Sequence, residues 1–124
     1  MKTIEINSLV LAYLGDTVYE NYVRLYLIKK GINHVKKLQE KSLDYVSAKS
    51  QSRILHDLIN KNFFNDEELE IIKRARNGKV NSHPKNTDII TYKEATSFEA
   101  IIGYLKLENK IERIEELMNK ILHD

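Results

Sequence analysis

Gly15 and Asp16 stand side by side in the middle of an apolar run, Leu9-Val10-Leu11-Ala12-Tyr13-Leu14-Gly15-Asp16-Thr17-Val18-Tyr19-Glu20, which otherwise reads as a buried helix. Glycine inside a helix costs about 1 kcal/mol relative to alanine. A carboxylate among apolar residues costs several kcal/mol unless it is paired, hydrogen-bonded or bound to a metal. Two such costs at adjacent positions mark a site, and the remaining chain has to complete it.

A second stretch repeats the pattern: Phe98-Glu99-Ala100-Ile101-Ile102-Gly103-Tyr104-Leu105 also places a carboxylate in an apolar run beside a helical glycine. Gly15 and Gly103 read as points of close helix approach, and helices crossing there would bring Asp16 and Glu99 together. Two carboxylates in one apolar setting repel unless a proton or a cation lies between them. Oxygen ligands alone suit a hard ion, Mg²⁺ or Mn²⁺, that keeps several waters. Such an ion can activate a water and neutralise charge on a phosphodiester. The alternative at this point is that each acid is paired with a lysine or arginine, or caps a helix.

The chain around these stretches is helical. Pro84 is the only proline, glycine is scarce, and Leu, Ile, Lys and Glu abound, a composition that favours helix. Asn7 or Ser8 caps a first helix whose apolar stripe is Leu11, Leu14, Val18, Tyr22 and Leu25, ending near Lys30 and Gly31. Asn33 opens a short second helix to about Lys41, and Ser42 or Asp44 opens a third, carrying Leu43, Val46, Ile54, Leu55, Leu58 and Ile59. Asn65 three residues before Glu68 resembles a capping box for a fourth, with Phe64 as its hydrophobic staple. A loop from Asn77 to Asn86 precedes a fifth helix begun by Thr87 or Asp88, and Asn109 separates it from a last amphipathic helix, Ile111 through Ile121. No segment alternates with period two. The expected fold is all-α, with about six helices.

At 124 residues the chain is expected to form one domain with a core that needs no disulfides, and the absence of cysteine excludes a cysteine-based zinc site. Nothing approaches the roughly 20 apolar residues of a membrane span, and the start of the chain does not read as a signal peptide. A cytoplasmic protein without membrane contact is the expectation. The net charge of +2 says little about partners. The four histidines are dispersed, with no pair at the spacing of a helical metal site. Among the seven tyrosines, Tyr13, Tyr19, Tyr22, Tyr26 and Tyr45 fall in predicted helices as core or interface residues.

Charge clusters in one place. Between Ile72 and Thr87 stand Lys73, Arg74, Arg76, Lys79, His83 and Lys85, with no acid among them. Cations at a helix end complement its dipole, which accounts for Lys73, Arg74 and Arg76. The basic character continues through an Asn-rich loop, however, which suits contact with phosphate backbones.

Leu11-Ala12-Tyr13-Leu14-Gly15-Asp16-Thr17-Val18-Tyr19-Glu20 resembles the signature helix of the ribonuclease III family, and Phe98-Glu99-Ala100-Ile101-Ile102-Gly103 resembles that family's second acidic helix. With Val46-Ser47-Ala48-Lys49-Ser50-Gln51, Arg74-Ala75-Arg76-Asn77 and Pro84-Lys85-Asn86-Thr87-Asp88, the resemblance extends over essentially the whole chain. It is to the short bacterial form of the family, Mini-ribonuclease III, which consists of the catalytic domain alone. The resemblance implies an all-α homodimer that cuts double-stranded RNA with Mg²⁺, leaving 5′-phosphate and 3′-hydroxyl ends, with one active site per subunit. It also implies a role in maturing the large-subunit ribosomal RNA precursor. By position it makes Asp16 and Glu99 the catalytic, metal-holding acids.

Larger members of the family carry a glutamate where this chain has Ala12 and an aspartate where it has Thr96; the short form resembles this chain at both places. Waters, the Thr96 hydroxyl or Glu20 are candidates to fill the shell, Glu20 equally a candidate for a surface ion pair. With no separate double-stranded-RNA-binding domain expected, affinity for RNA falls to Lys73, Arg74, Arg76, Lys79 and Lys85, a dispersed set suited to duplex backbones. Tyr13, Tyr19 and Tyr26 lie beyond the main stripe of the first helix and motivate the homodimer. Two other classes stay open: a non-catalytic duplex-RNA-binding or ribosome-associated module on the same fold, and a helical interaction domain whose acids are merely paired.

Overall fold

Residues 1–78, 84–85 and 87–123 are described by a computed structural model. Six α-helices carry them: α1 (Ser8–Lys29), α2 (Val35–Val46), α3 (Ala48–Asn60), α4 (Asp66–Arg76), α5 (Ile89–Leu107) and α6 (Ile111–Ile121), after a 3-10 turn at Thr3–Glu5. No strand occurs among the described residues. Most boundaries sit where local chemistry predicts. The Asn7 side chain accepts from the Leu9 N–H, Asp88 accepts from the Thr91 N–H, and Asn65 and Glu68 form both halves of a capping box. Gly31 takes a φ of 98° just past the end of α1, and Asn109 a φ of 56° between α5 and α6.

The second helix differs from expectation at both ends: its N-cap is His34, without a side-chain cap, rather than Asn33. Nor does it stop near Lys41; α2 runs unbroken to Val46, and the chain breaks at Ser47. Ser42, expected to cap forward, instead donates its hydroxyl back to the Gln39 carbonyl at 2.8 Å inside the helix. Ser47 is the residue with extended backbone, and its hydroxyl accepts from the Ser50 N–H at 3.2 Å. Lys41 through Asp44 offer no conformational penalty large enough to end a helix, so the stop falls at the next residue able to cap.

α5 is the helix around which the rest is arranged. It is apolar on every side, and from Glu94 to Leu105 every residue except Glu99 is buried, as expected for a helix that others surround. α1 packs along it most extensively, α3 and α4 flank it, and α2 lies against α1 and α3. α6 is fastened to the start of α4 by Arg113. Its guanidinium meets both carboxylate oxygens of Glu68 at 2.8 Å, donates to the Phe63 carbonyl at 2.6 Å and lies over the Phe63 ring.

The buried face of α1 is rotated from the predicted stripe. Leu11, Ala12, Gly15, Tyr19, Val23 and Leu27 are buried, whereas Leu14, Val18 and Tyr22 are half-buried and Leu25 is exposed. The small residues turn toward α5 because only there can two backbones meet. Two of the tyrosines expected at an interface are accordingly internal. Tyr19 is fully buried with its ring edge-on to Phe98, and Tyr26 is half-buried against Tyr45. Tyr13 alone of the three projects outward, 81% exposed, between the exposed Leu9 and Val10 and the rest of α1. Among the described residues no helix is long and apolar enough to cross a membrane.

Candidate active site

α1 and α5 touch at their two glycines. A Cβ on Gly15 would lie 1.7 Å from the Glu99 carbonyl oxygen, and one on Gly103 would lie 1.9 Å from the Leu11 carbonyl oxygen. Not even a methyl group fits at either place, so the backbones themselves are in contact. Leu11 lies over Gly103 and Tyr19 beside Phe98, so the helices run antiparallel where they meet. Asp16 follows Gly15, and Glu99 is the residue whose carbonyl Gly15 touches. Their carboxyl groups are thereby drawn within hydrogen-bonding reach of one another. Glu99 is the one opening in the buried length of α5, and Asp16 is exposed beside it.

Burial is the main cause that pushes the Glu99 carboxyl up from 4.5 to about 8. The hydrogen bond and negative charge of Asp16 add to it, the Gln51 amide opposes it, and the charge of Glu20 adds a further upward push. Near neutral pH the Glu99 carboxyl thus favours its protonated form. No ion pair among the described residues involves Asp16 or Glu99, so the pairing that would make these acids merely structural is not found.

The donor set fits a hard divalent ion with a sparse protein shell. Among the described residues no group of three or more histidines, cysteines or acids is arranged to hold a metal. Two carboxylates with the remaining positions left to water suit Mg²⁺, which dehydrates reluctantly. Ala12 and Thr96 are both buried and add no charge. Glu20, half-buried one turn beyond Asp16, pairs with Arg24 at 3.5 Å while still acting on Glu99 through its charge.

Gln51 is a part of this site to which sequence reasoning assigned no role. It is 2% exposed in the first turn of α3, and its Nε2 donates to Glu99 Oε2 at 3.3 Å and to the Val46 carbonyl at 3.2 Å. The available signal was a glutamine on the apolar face of α3, in register with Ile54, Leu55 and Leu58. The neighbouring Ser52 reaches a second carboxylate of α5, donating to Glu94 Oε1 at 2.9 Å, while His56 Nε2 lies 2.5 Å from Glu94 Oε2. Ser52 and Glu94 are buried and His56 is exposed; the cluster depends on tertiary contact and leaves no local mark in the sequence.

The basic residues separate into groups. Lys73, Arg76 and Lys85 are exposed. Arg74 is turned inward: its guanidinium donates to the carbonyls of Ile4 and Ile6, the latter at 3.0 Å, and ties the N-terminal turn to α4. Lys79 and His83 lie outside the described residues.

A ribonuclease III domain model matches residues 9–110 of the chain. Mini-ribonuclease 3 of Staphylococcus aureus is 47% identical over 117 residues, covering 94% of this chain and 87% of that protein. Mini-ribonuclease 3 of Clostridium tetani is 42% identical over 120 residues, covering 96% of this chain and 78% of that one. The crystal structure of a protein from Fusobacterium nucleatum superposes with a TM-score of 0.87 at 36% identity, covering 98% of each chain. The chain belongs to the ribonuclease III family. It is an endoribonuclease of that family, similar throughout to the Mini-ribonuclease 3 proteins.

Proposed function

We propose that the protein cuts double-stranded RNA with Mg²⁺, Mn²⁺ being able to substitute, and that Asp16 and Glu99 are the acids that hold the ion. The observation that carries this reading is the pair of neighbouring acids, Asp16 and Glu99, at the α1–α5 glycine contact, free of any lysine or arginine partner among the described residues. A divalent ion bound there supplies charge neutralisation at the scissile phosphate and a more acidic water. Gly15 and Gly103 hold the two carboxylates at fixed separation, and burial of α5 keeps Glu99 from turning away. Lys73, Arg76 and Lys85 offer exposed cations to the phosphate backbone, with Lys79 in the same basic segment. Arg74, engaged with two backbone carbonyls, belongs to the RNA-contact set only through the fold it stabilises.

The large-subunit ribosomal RNA precursor is the candidate substrate, from the resemblance to the short form of the family. Incubating the protein with a duplex RNA and with one of its single strands, each in Mg²⁺ or in EDTA, tests the reaction. Cleavage is expected of the duplex in Mg²⁺ alone, leaving 5′-phosphate ends. Salt-sensitive duplex binding without Mg²⁺-stimulated cleavage would make the protein a non-catalytic module instead.

The protein is further proposed to act as a homodimer. Leu9, Val10 and Tyr13 are 50%, 54% and 81% exposed on one end of α1, an apolar surface that a second copy would cover. Light scattering at micromolar concentration is expected to give twice the 14.5 kDa chain mass, and Tyr13→Asp is expected to shift it to the single mass. A wild-type chain that stays monomeric would remove this part of the reading.

A further inference from the structure

The end of α2 has an unusual way of satisfying its backbone. The last four carbonyls of a helix have no partner within it. Here the carbonyls of residues 43 to 46 each have a side-chain donor from elsewhere, Leu43 in addition to the Ser47 N–H at 3.3 Å. The Leu43 carbonyl accepts from the Ser50 hydroxyl at 3.1 Å, and the Asp44 carbonyl from Arg53 Nη2 at 3.3 Å. The Tyr45 carbonyl accepts from the Tyr19 hydroxyl at 2.9 Å, and the Val46 carbonyl from Gln51 Nε2 at 3.2 Å. Three of these donors come from α3 and one from α1. The break at Ser47 is therefore clamped in place, and Gln51 is one jaw of the clamp.

Gln51 does two things with one nitrogen. An amide NH₂ has two hydrogens; one is directed at Val46 and the other at Glu99. Turning the amide over would set its oxygen against the Val46 carbonyl, two acceptors with no proton between them. At 2% exposure, water cannot relieve that conflict. The amide is thus locked with its donor toward Glu99.

Resting on the reading of Asp16 and Glu99 as the metal-holding pair, we infer that Gln51 is a positioning residue. Its amide, fixed by the free carbonyl at the end of α2, orients the Glu99 carboxylate for the divalent ion. Hydrogen-bond partners that orient a metal's carboxylate ligands typically set metal affinity or activity by about 10- to 100-fold. Gln51 touches neither substrate nor ion. It acts through Glu99.

Two variants and one wild-type measurement test this. Gln51→Met keeps the volume and removes both hydrogen bonds, and Gln51→Glu keeps the shape while replacing the donor with an acceptor. Binding of Mn²⁺ to each protein without RNA, followed by electron paramagnetic resonance, is expected to weaken about 10-fold or more in both. In cleavage, kcat at low Mg²⁺ should fall and recover as Mg²⁺ is raised, while KM for duplex RNA stays near its parent value. In the wild-type chain the side-chain amide protons of Gln51, followed by ¹⁵N NMR, should shift on addition of Mg²⁺, and that shift should vanish in Asp16→Asn. This last measurement stands even where both Gln51 variants fail to fold. Unchanged Mn²⁺ affinity in a folded Gln51→Met protein, or a Gln51 amide indifferent to Mg²⁺ in a wild-type chain that binds it, overturns the role of Gln51 alone. A wild-type chain that binds no Mn²⁺ overturns the metal reading itself, and this inference with it.

Discussion

Asp16→Asn and Glu99→Gln are each expected to slow Mg²⁺-dependent cleavage of duplex RNA by about 10³-fold, equivalent to roughly 4 kcal/mol of transition-state stabilisation. Each change keeps the side chain's shape and removes one of the two carboxylates proposed to hold the ion. Neither is expected to unfold the protein, because Asp16 is exposed and Glu99 loses an unfavourable negative charge. A variant that cuts as fast as its parent would remove that acid from the mechanism. Glu99→Gln has an opposite expected effect on stability in EDTA. Folding strengthens the hold of Glu99 on its proton, raising its pKa from 4.5 to about 8. Between those values the folded chain binds more protons at this position than the unfolded chain. Its contribution to stability is therefore complete below about pH 4.5 and is lost as the pH rises to about 8. Mg²⁺ competes with that proton, so the rise in Tm on adding Mg²⁺ should be larger at about pH 8 than at about pH 6. Melting curves of the parent and of Glu99→Gln, in Mg²⁺ and in EDTA, separate this effect from every other titrating group. The glutamine variant should show neither the slope nor the gain.

Gly15→Ala is the substitution with the largest expected effect on the fold. In an isolated helix it would stabilise by about 1 kcal/mol. Here the added carbon would lie 1.7 Å from the Glu99 carbonyl oxygen and 2.9 Å from the Gly103 nitrogen. Both obstacles are backbone in a buried helix, so α1 and α5 would have to move apart along their whole contact. The expected cost is about 3 kcal/mol or more, a fall in Tm of roughly 10 °C or more. Divalent-ion affinity should fall with it, since the same contact sets the spacing of Asp16 and Glu99. Gly78→Ala is the matched control: its added carbon would meet the Ala75 carbonyl oxygen at 3.4 Å, an ordinary contact. Differential scanning calorimetry of the two variants tests the contrast. A Gly15→Ala protein as stable as Gly78→Ala would show that the helices are not locked at their glycines.

Arg74 shows why charge alone is a poor guide to an RNA-contact surface. In the sequence it is one of a row of cations with Lys73 and Arg76. In the fold, helical rotation turns it toward the N-terminal turn, where its guanidinium is occupied by two carbonyls. Lys73 and Arg76, one position to either side of that inward face, remain exposed. Among the described residues, the segment therefore presents fewer free cations than the row suggests.

The sequence by itself determined the helical fold and pointed to its acidic pair, because both leave local, one-dimensional marks. Asn65 with Glu68, Asn7 and Asp88 announce helix starts through groups that reach only two or three residues away. A glycine beside a carboxylate in an apolar run carries a visible energetic cost, and the same cost twice, at Gly15–Asp16 and Glu99–Gly103, points to a shared cause. The tertiary structure alone decided the face of α1 that is buried, the break of α2 at Ser47, the inward turn of Arg74, and the partners of Glu94 and Glu99. In each case several local solutions were nearly equal in energy. Ser42, Asp44 and Ser47 could all cap a helix, and α1 has more apolar surface than one face can bury. What chose among them was backbone contact at two glycines and the need of the orphaned Asp44, Tyr45 and Val46 carbonyls for donors from α1 and α3. The acidic pair Asp16 and Glu99 is therefore announced by α1 and α5, whereas the hydrogen bond of Gln51 to Glu99 exists only where the end of α2 meets them.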